Sequence, residues 1–282
     1  MAVSIKKKYI ESQKKRRHKA RMRRLTITVI VSVTVLVGTG AYLFSSRFHI
    51  VDVSVEGVAR TPREDVDLYL AEWLTQKKFG IVPVRSYWML SRDDLAAGLA
   101  SAFPTIERAD VTTEFPQTLK VNVQEYAGWG VLCRTNDEGC FWIDRAGVAF
   151  ESAPAGFSGS IVPKITDERD HRVTLKEQQL SSEMMRLIAF FNERAPSDTR
   201  IQSVEFTIAR TDETIRVKTR AGWEILILEK ADPEYVWKNL DTALAGEVKE
   251  NITKLEYIDL RFGNKIFYKL HTEALGHPVE ED

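Results

Sequence analysis

Cysteine is almost absent from this 282-residue chain, which holds only Cys133 and Cys140. Two thiols are too few for a cysteine-built zinc site. The five histidines, His18, His49, His171, His271 and His277, fall at no ligand spacing. There is no Cys-x-x-Cys pair, no glycine-rich phosphate loop, no His-Glu-x-x-His and no Ser-x-x-Lys. Gly156-Phe157-Ser158-Gly159-Ser160 imitates a nucleophile elbow but lacks its last glycine and a buried strand before it. The residues thus offer no catalytic group, metal or cofactor, and the chain reads as a non-enzyme. No groove of basic and aromatic residues points to nucleic acid. Net charge is absent as well, since forty basic residues balance forty acidic ones.

That balance conceals a division. Residues 1–24 carry eleven Lys or Arg against one acid, Glu11, and the chain from Leu25 to Ser46 carries no charge. The remainder holds 29 basic and 39 acidic residues. The uncharged stretch includes the 20-residue run LTITVIVSVTVLVGTGAYLF, which as a helix rises roughly 30 Å, the thickness of a hydrocarbon core. Its many β-branched residues do not count against a helix there, because only a helix satisfies the backbone in lipid. Tyr42 falls near the outer end, where an amphipathic ring is favoured. A cleaved signal peptide would have a shorter apolar core and a sharper cleavage site than Gly38-Thr39-Gly40-Ala41. The expectation is an uncleaved single span. Positive flanks stay in the cytoplasm, so the N-terminus is inside and the bulk of the chain is extracytoplasmic.

Beyond the span, Phe48, Ile50, Val53 and Val55 suggest a strand ending at Gly57. Thr61 as N-cap and Pro62 as first helical residue open a helix over 62–74, with Val66, Leu70, Trp73 and Leu74 at helical spacing. A loop covers Phe79 to Tyr87. Ser91-x-x-Asp94 opens a second helix, with Leu95, Leu99 and Ala102 inward, which stops before Pro104. Strands at 106–113 and 118–126 follow, joined around Phe115-Pro116. Further on, strands are expected at 129–134, 140–144, 201–209, 214–219, 223–229, 254–261 and 264–271. Thr174-x-x-Glu177 is expected to cap a helix reaching Arg194, and Asp232-Pro233 to start another. Residues 152–160 read as loop. Cys133 and Cys140 flank a polar turn and can face each other across a hairpin as one disulfide, with two buried thiols as the alternative.

The order β-α-α-β-β directly after an anchor resembles a POTRA domain. Phe103-Pro104-x-Ile106-x-x-Ala109-x-Val111 and Phe115-Pro116-x-Thr118-Leu119-x-Val121-x-Val123-x-Glu125 resemble the signature of the FtsQ/DivIB cell-division family. Trp142-Ile143-Asp144-x-x-Gly147-x-x-Phe150 is similar to that family's Asp-x-x-Gly hairpin. Pro163 stands where the family has a proline before a helical segment. Ile258-Asp259-Leu260-Arg261-Phe262 is similar to its Asp-Leu-Arg-Tyr strand, with Phe for Tyr. The similarities run in order along the chain.

The expected fold class is α+β: one transmembrane helix, a POTRA-like domain, and a mixed, mainly antiparallel β domain with flanking helices. The expected parts are a basic cytoplasmic segment (1–24), the span (25–46), the POTRA-like domain (47–126), the β domain (127–272) and a disordered acidic tail (273–282). The resemblance implies a bitopic inner-membrane scaffold at the division septum. It would bind FtsB/FtsL-type bitopic proteins and help control septal peptidoglycan synthesis, with FtsK-type proteins and the septal synthase as further partners. The POTRA-like module, with strand 48–55 and helix 62–74 as its contact face, would serve recruitment. Arg261 and Phe262 are implied to contact the FtsB-like partner. Lys265, Phe267 and Lys269 share one face of the last strand, opposite Ile266, Tyr268 and Leu270, and join them as partner-binding candidates. The competing reading is a membrane-anchored extracytoplasmic enzyme or glycan-binding protein, which a hydrolysis assay or a glycan pull-down distinguishes.

Overall fold

In the computed structural model the described residues are 2–78, 82–135, 139–154, 162–202 and 204–271, with side chains from residue 19 on, Ala20 and Val82 excepted. The expected tail at 273–282, most of the 152–160 loop and the serine of the elbow-like run lie outside them. The chain divides into two compact units, residues 1–101 with 108–124, and residues 102–107 with 125–282.

The first unit begins with helix α1 (Ala2–Leu43). Its stretch Arg21–Leu43 is long and apolar enough to cross a membrane. Thr26, Thr28, Thr34 and Thr39 donate their hydroxyls to carbonyls four residues back, so the polar atoms of these side chains are satisfied within the helix. A short 3-10 turn at Ser46–Phe48 follows. Then come β1 (Asp52–Glu56), α2 (Arg63–Thr75), a small hairpin of β2 (Lys77–Lys78) and β3 (Val82–Pro83), α3 (Arg92–Ala102), β4 (Ile106–Glu114) and β5 (Thr118–Glu125).

The sheet order is β1-β5-β4, and β1 runs parallel to β5 with Val53 opposite Leu119 and Val55 opposite Val121. Strand β5 buries Leu119, Val121 and Val123 and exposes the residues between them, the period of a half-buried strand. Helices α2 and α3 bury Val66, Leu70, Leu95 and Leu99. Gly57, at φ +85°, closes the β1 turn, where a Cβ would meet the Val123 carbonyl at 2.0 Å.

Two local expectations change. The strand does not begin at Phe48, because residues 48–50 pair instead with 85–87: His49 bridges Ser86, and Ile50 N–H donates to Arg85 O at 2.8 Å. Helix α2 starts one residue later than expected, with Pro62 rather than Thr61 at the cap. A cap residue needs no intrahelical N–H, so proline is accommodated there.

The second unit carries a nine-stranded sheet. Its strands are β6 (Gly130–Arg134), β7 (Cys140–Ile143), β8 (Ala149–Ala153), β9 (Lys164–Asp167), β10 (Val204–Ile208), β11 (Thr214–Thr219), β12 (Glu224–Leu228), β13 (Leu255–Phe262) and β14 (Lys265–Leu270). Helix α4 (Ser182–Arg194) precedes β10, and α5 (Pro233–Ala245) precedes β13. The spatial order is β14-β13-β12-β11-β10-β9-β6-β7-β8. Five pairings are antiparallel and three are parallel. The core joins Met184, Leu187, Ile188 and Phe191 of α4 with Val236, Leu240 and Leu244 of α5 and with sheet residues such as Phe206, Ile225 and Ile258. Each such side chain stabilises the fold by roughly 1.5–3 kcal/mol on full burial.

Helix α5 starts as its sequence indicates: Asp232 accepts from Tyr235 N–H at 2.9 Å, and Pro233 is first in the helix. Helix α4 does not start at Thr174. Lys176 has φ 68°, outside any right-handed helix, and its N–H donates to Ala149 O. Gln178 bridges Val148. Residues 174–179 are thus recruited to the 144–149 turn, and Ser181 caps the helix by accepting from Met184 N–H at 3.2 Å. The structure also adds β8 and β9. Residues 152 and 153, read as loop, end β8, and Pro163 leads into β9 rather than into a helical segment.

Candidate functional site

Strand β14 stands at one end of the nine-stranded sheet and pairs only with β13 among the described residues. Among the described residues, one side of its backbone is thereby left without a strand partner, the template for adding a strand. A turn at Gly263 (φ 65°) and Asn264 folds β14 back on β13, and Asn239 of α5 donates to Gly263 O at 3.1 Å. The register places Leu255 opposite Leu270, Ile258 opposite Tyr268, Asp259 opposite Phe267 and Phe262 opposite Lys265, with two bulges. Bulges bend a strand and interrupt its ladder locally.

Alternation along β14 separates its side chains. Ile266 and Leu270 pack against the core. Phe267 points away, 51% exposed, and meets Phe262, 55% exposed, edge to face at 5.3 Å between ring centres. Lys265 is exposed, with no ion pair among the described residues. Lys269 pairs with Glu256 of β13 at 2.9 Å, and the hydrogen bond and charge of that carboxylate push the ammonium pKa up. Beside the strand, Thr242, Ala243, Gly246 and Val248 at the end of α5 face Ile266 and Tyr268 across a groove of about 350 Å³.

Arg261 is not a free cation. Its Nε donates to Asp259 Oδ1 at 2.9 Å and Nη2 to Asp259 Oδ2 at 2.7 Å, while its backbone N–H donates to the same carboxylate at 3.1 Å. Its Nη1 reaches Asp212 Oδ2 and Thr214 Oγ1, both at 3.0 Å. Hydrogen bonding to Asp259 is the main reason that its pKa rises, against the opposing effect of burial. The same local clamp recurs at Asp167–Arg169 and Asp198–Arg200, where each aspartate accepts from the backbone N–H and from Nε and Nη2 on one edge of the guanidinium two residues on. Of the three, only Asp259–Arg261 lies in the terminal hairpin. The Asp-Leu-Arg run of the sequence is thus first a device that fixes the end of β13.

Sequence reasoning brought Arg261, Phe262, Lys265, Phe267 and Lys269 to one hairpin, and the structure places all five there. It missed Asp259, Asp212 and Thr214 as partners of Arg261. It also missed the groove formed with α5, and it set Tyr268 inward although that ring is 39% exposed. Only the Asp-x-Arg spacing carried a readable signal.

Elsewhere, Cys133 and Cys140 are directly opposed on β6 and β7 and joined as a disulfide, S–S 2.06 Å. Asp144 accepts from Ala146 N–H at 2.9 Å and Val148 N–H at 2.8 Å, so the Asp-x-x-Gly run is an Asx turn. Arg134 and Asp167, both without exposed side-chain surface, form an ion pair at 2.9 Å. Burial pushes the Asp167 carboxyl up, but the hydrogen bonds and charge of Arg169, with the charge of Arg134, outweigh it and hold it below the usual range.

Residues 48–126 match the family model described as POTRA domain, FtsQ-type. No curated protein matches the chain. The FtsQ-type family is one of non-enzymatic division scaffolds. The chain carries an FtsQ-type POTRA domain behind one apolar N-terminal helix, an arrangement that supports a role in cell division and is consistent with the FtsQ/DivIB family.

Proposed function

We propose that the protein is a bitopic divisome scaffold that links early and late division proteins and receives an FtsB/FtsL-type partner by strand addition at β14. The observation that carries this reading is the terminal position of β14 beside the exposed Phe262–Phe267 pair. An incoming strand gains main-chain hydrogen bonds from the edge. Its side chains meet the two phenyl rings on one face and the groove beside Ile266 and Tyr268 on the other. Lys265, and Lys269 once Glu256 is displaced or shared, give the edge a charge suited to an acidic peptide. Edge lysines also discourage pairing with unwanted strands. Arg261 acts by holding the hairpin in shape, and residues 1–24 and 25–46 serve as the cytoplasmic segment and the anchor. The orientation follows from the basic head, with the N-terminus in the cytoplasm and residues 47–272 outside the inner membrane, at the septum. There the POTRA domain serves recruitment, through partners that include FtsK-type proteins, and the edge relays control to the septal synthase.

The test is binding of a purified FtsB/FtsL-type pair to the full chain in detergent. Phe267→Ser and Lys265→Glu, with thermal unfolding unchanged, should each raise Kd at least about tenfold, the effect of one interface anchor. Wild-type affinity in both variants refutes strand addition at β14.

A further inference from the structure

A cluster of aromatic rings sits at the start of the first unit, outside the edge described above. Phe48, only 9% exposed, is its hub. Around it lie Tyr42 at 5.6 Å, Phe115 at 5.8 Å and Trp88 at 6.2 Å, and Tyr87 contacts Trp88 at 5.2 Å and Phe115 at 5.6 Å. Trp88 and Phe115 are nonetheless 50% and 63% exposed. A cleft of about 380 Å³ opens between Tyr42, Arg47 and Phe48 on one side and Phe115, Pro116 and Gln117 on the other.

The cluster is held by backbone, not by side chains alone. Tyr87 N–H donates to Phe48 O at 2.8 Å, Ile50 N–H to Arg85 O at 2.8 Å, and Val51 N–H to Gln117 O at 2.9 Å. Three stretches of chain distant in sequence therefore present their rings together. Burying large rings normally drives such convergence, yet three of these rings, Tyr42, Trp88 and Phe115, are exposed.

We propose that this patch lies in the lipid headgroup layer and docks the POTRA domain on the bilayer, an inference that rests on reading Arg21–Leu43 as the membrane span. Three observations favour lipid. First, helix α1 ends at Leu43, and Phe48 follows five residues later, so the patch lies at most roughly 17 Å along the chain from the end of the span. Tyr42, in the last turn of α1, already touches Phe48. Second, the patch is made of Trp, Tyr and Phe, and amphipathic Trp and Tyr rings concentrate at the interface between hydrocarbon and water. Third, the contributing stretches 43–51, 83–91 and 115–117 contain no acid, and their only formal charges are Arg47 and Arg85. Both arginines are exposed and suited to lipid phosphates. Docking would hold the POTRA domain against the membrane rather than letting it swing on a tether.

The experiment uses the full chain in vesicles of phosphatidylcholine and phosphatidylglycerol, with a share of the phosphatidylcholine brominated near the headgroup end of its acyl chains. Bromine quenches tryptophan only at contact range. Flotation of the vesicles reports the anchor separately. The expected result is that wild-type emission falls on adding brominated lipid, that Trp88→Phe loses at least half of that fall, and that Phe115→Trp in the Trp88→Phe background restores it. A protein that floats but shows equal quenching with and without Trp88 overturns the docking alone. Trp88 emission shielded from both aqueous iodide and brominated lipid marks a patch covered by protein and also overturns it. A chain that does not float removes the anchor and this inference together.

Discussion

Replacing Arg261 by alanine separates a role in folding from a role in contact. The guanidinium makes two hydrogen bonds to Asp259, whose side chain is 8% exposed, and one each to Asp212 and Thr214. Hydrogen bonds to a charged group contribute about 1.5–3 kcal/mol. The Asp212 pair is more exposed and adds under about 1 kcal/mol. Because the Arg261 backbone N–H still satisfies part of Asp259, the loss should fall near the low end, about 2 kcal/mol. Arg261→Lys keeps the charge but loses the planar fork and should fall between wild type and alanine. Arg261→Glu sets a third carboxylate beside Asp259 and Asp212 and should lose more than alanine does. In a unit of this size each kcal/mol shifts Tm by roughly 2–4 °C, so alanine predicts a drop of roughly 4–8 °C. Trp223, buried in the sheet core, gives a fluorescence signal for denaturant unfolding of the full chain in detergent. Stability of Arg261→Ala within about 0.5 kcal/mol of wild type would show that the clamp does not hold the fold. It would return Arg261 to the role of a direct contact.

Gly147→Ala should destabilise the protein by about 1–3 kcal/mol, because φ is +81° and a Cβ would lie 2.9 Å from Leu180 O. Unchanged thermal unfolding would contradict the turn geometry. Hydrogen bonds from Arg200 are the main reason the Asp198 carboxyl is held below the usual range, and Asp167 is depressed too, its arginine contacts outweighing burial. A depressed carboxyl adds stability that is present above the unfolded pKa, about 3.9, and is lost as pH falls through the lower folded value. Unfolding free energy should therefore drop below about pH 4, less steeply in Asp198→Asn, in a denaturation series from pH 3 to 7. An Asp198→Asn profile as steep as wild type would remove Asp198 from the account.

Much of the architecture was legible because it depends on local pattern. An uncharged run beside eleven cations marks a helix long and apolar enough to cross a membrane, and the structure forms that helix. Alternation in Leu119, Val121 and Val123 marks a half-buried strand, and Asp232-Pro233 marks a helix start, with no reference to the rest of the chain. Helix α4 shows the limit. Thr174-x-x-Glu177 is a good local cap signal, but the segment gains more by lining the 144–149 turn, a partner about thirty residues away. Strand β9 is only four residues long, and its place between β6 and β10 comes from two parallel neighbours that no local pattern names.

The site divides in the same way. By itself, the sequence indicated a late strand pair: alternation set Lys265, Phe267 and Lys269 on one face, and the family resemblance implied Arg261 and Phe262 beside them. Only the tertiary structure decided that β14 ends the sheet among the described residues, because an end position is defined by the strand that is not beside it. It also decided that Arg261 is bound to Asp259, Asp212 and Thr214, and that rings from residues 42, 48, 87, 88 and 115 cluster with Tyr42, Trp88 and Phe115 exposed. Charge and periodicity are properties of neighbours along the chain. Pairing, satisfaction and exposure are properties of neighbours in space, and the backbone hydrogen bonds between distant segments set those.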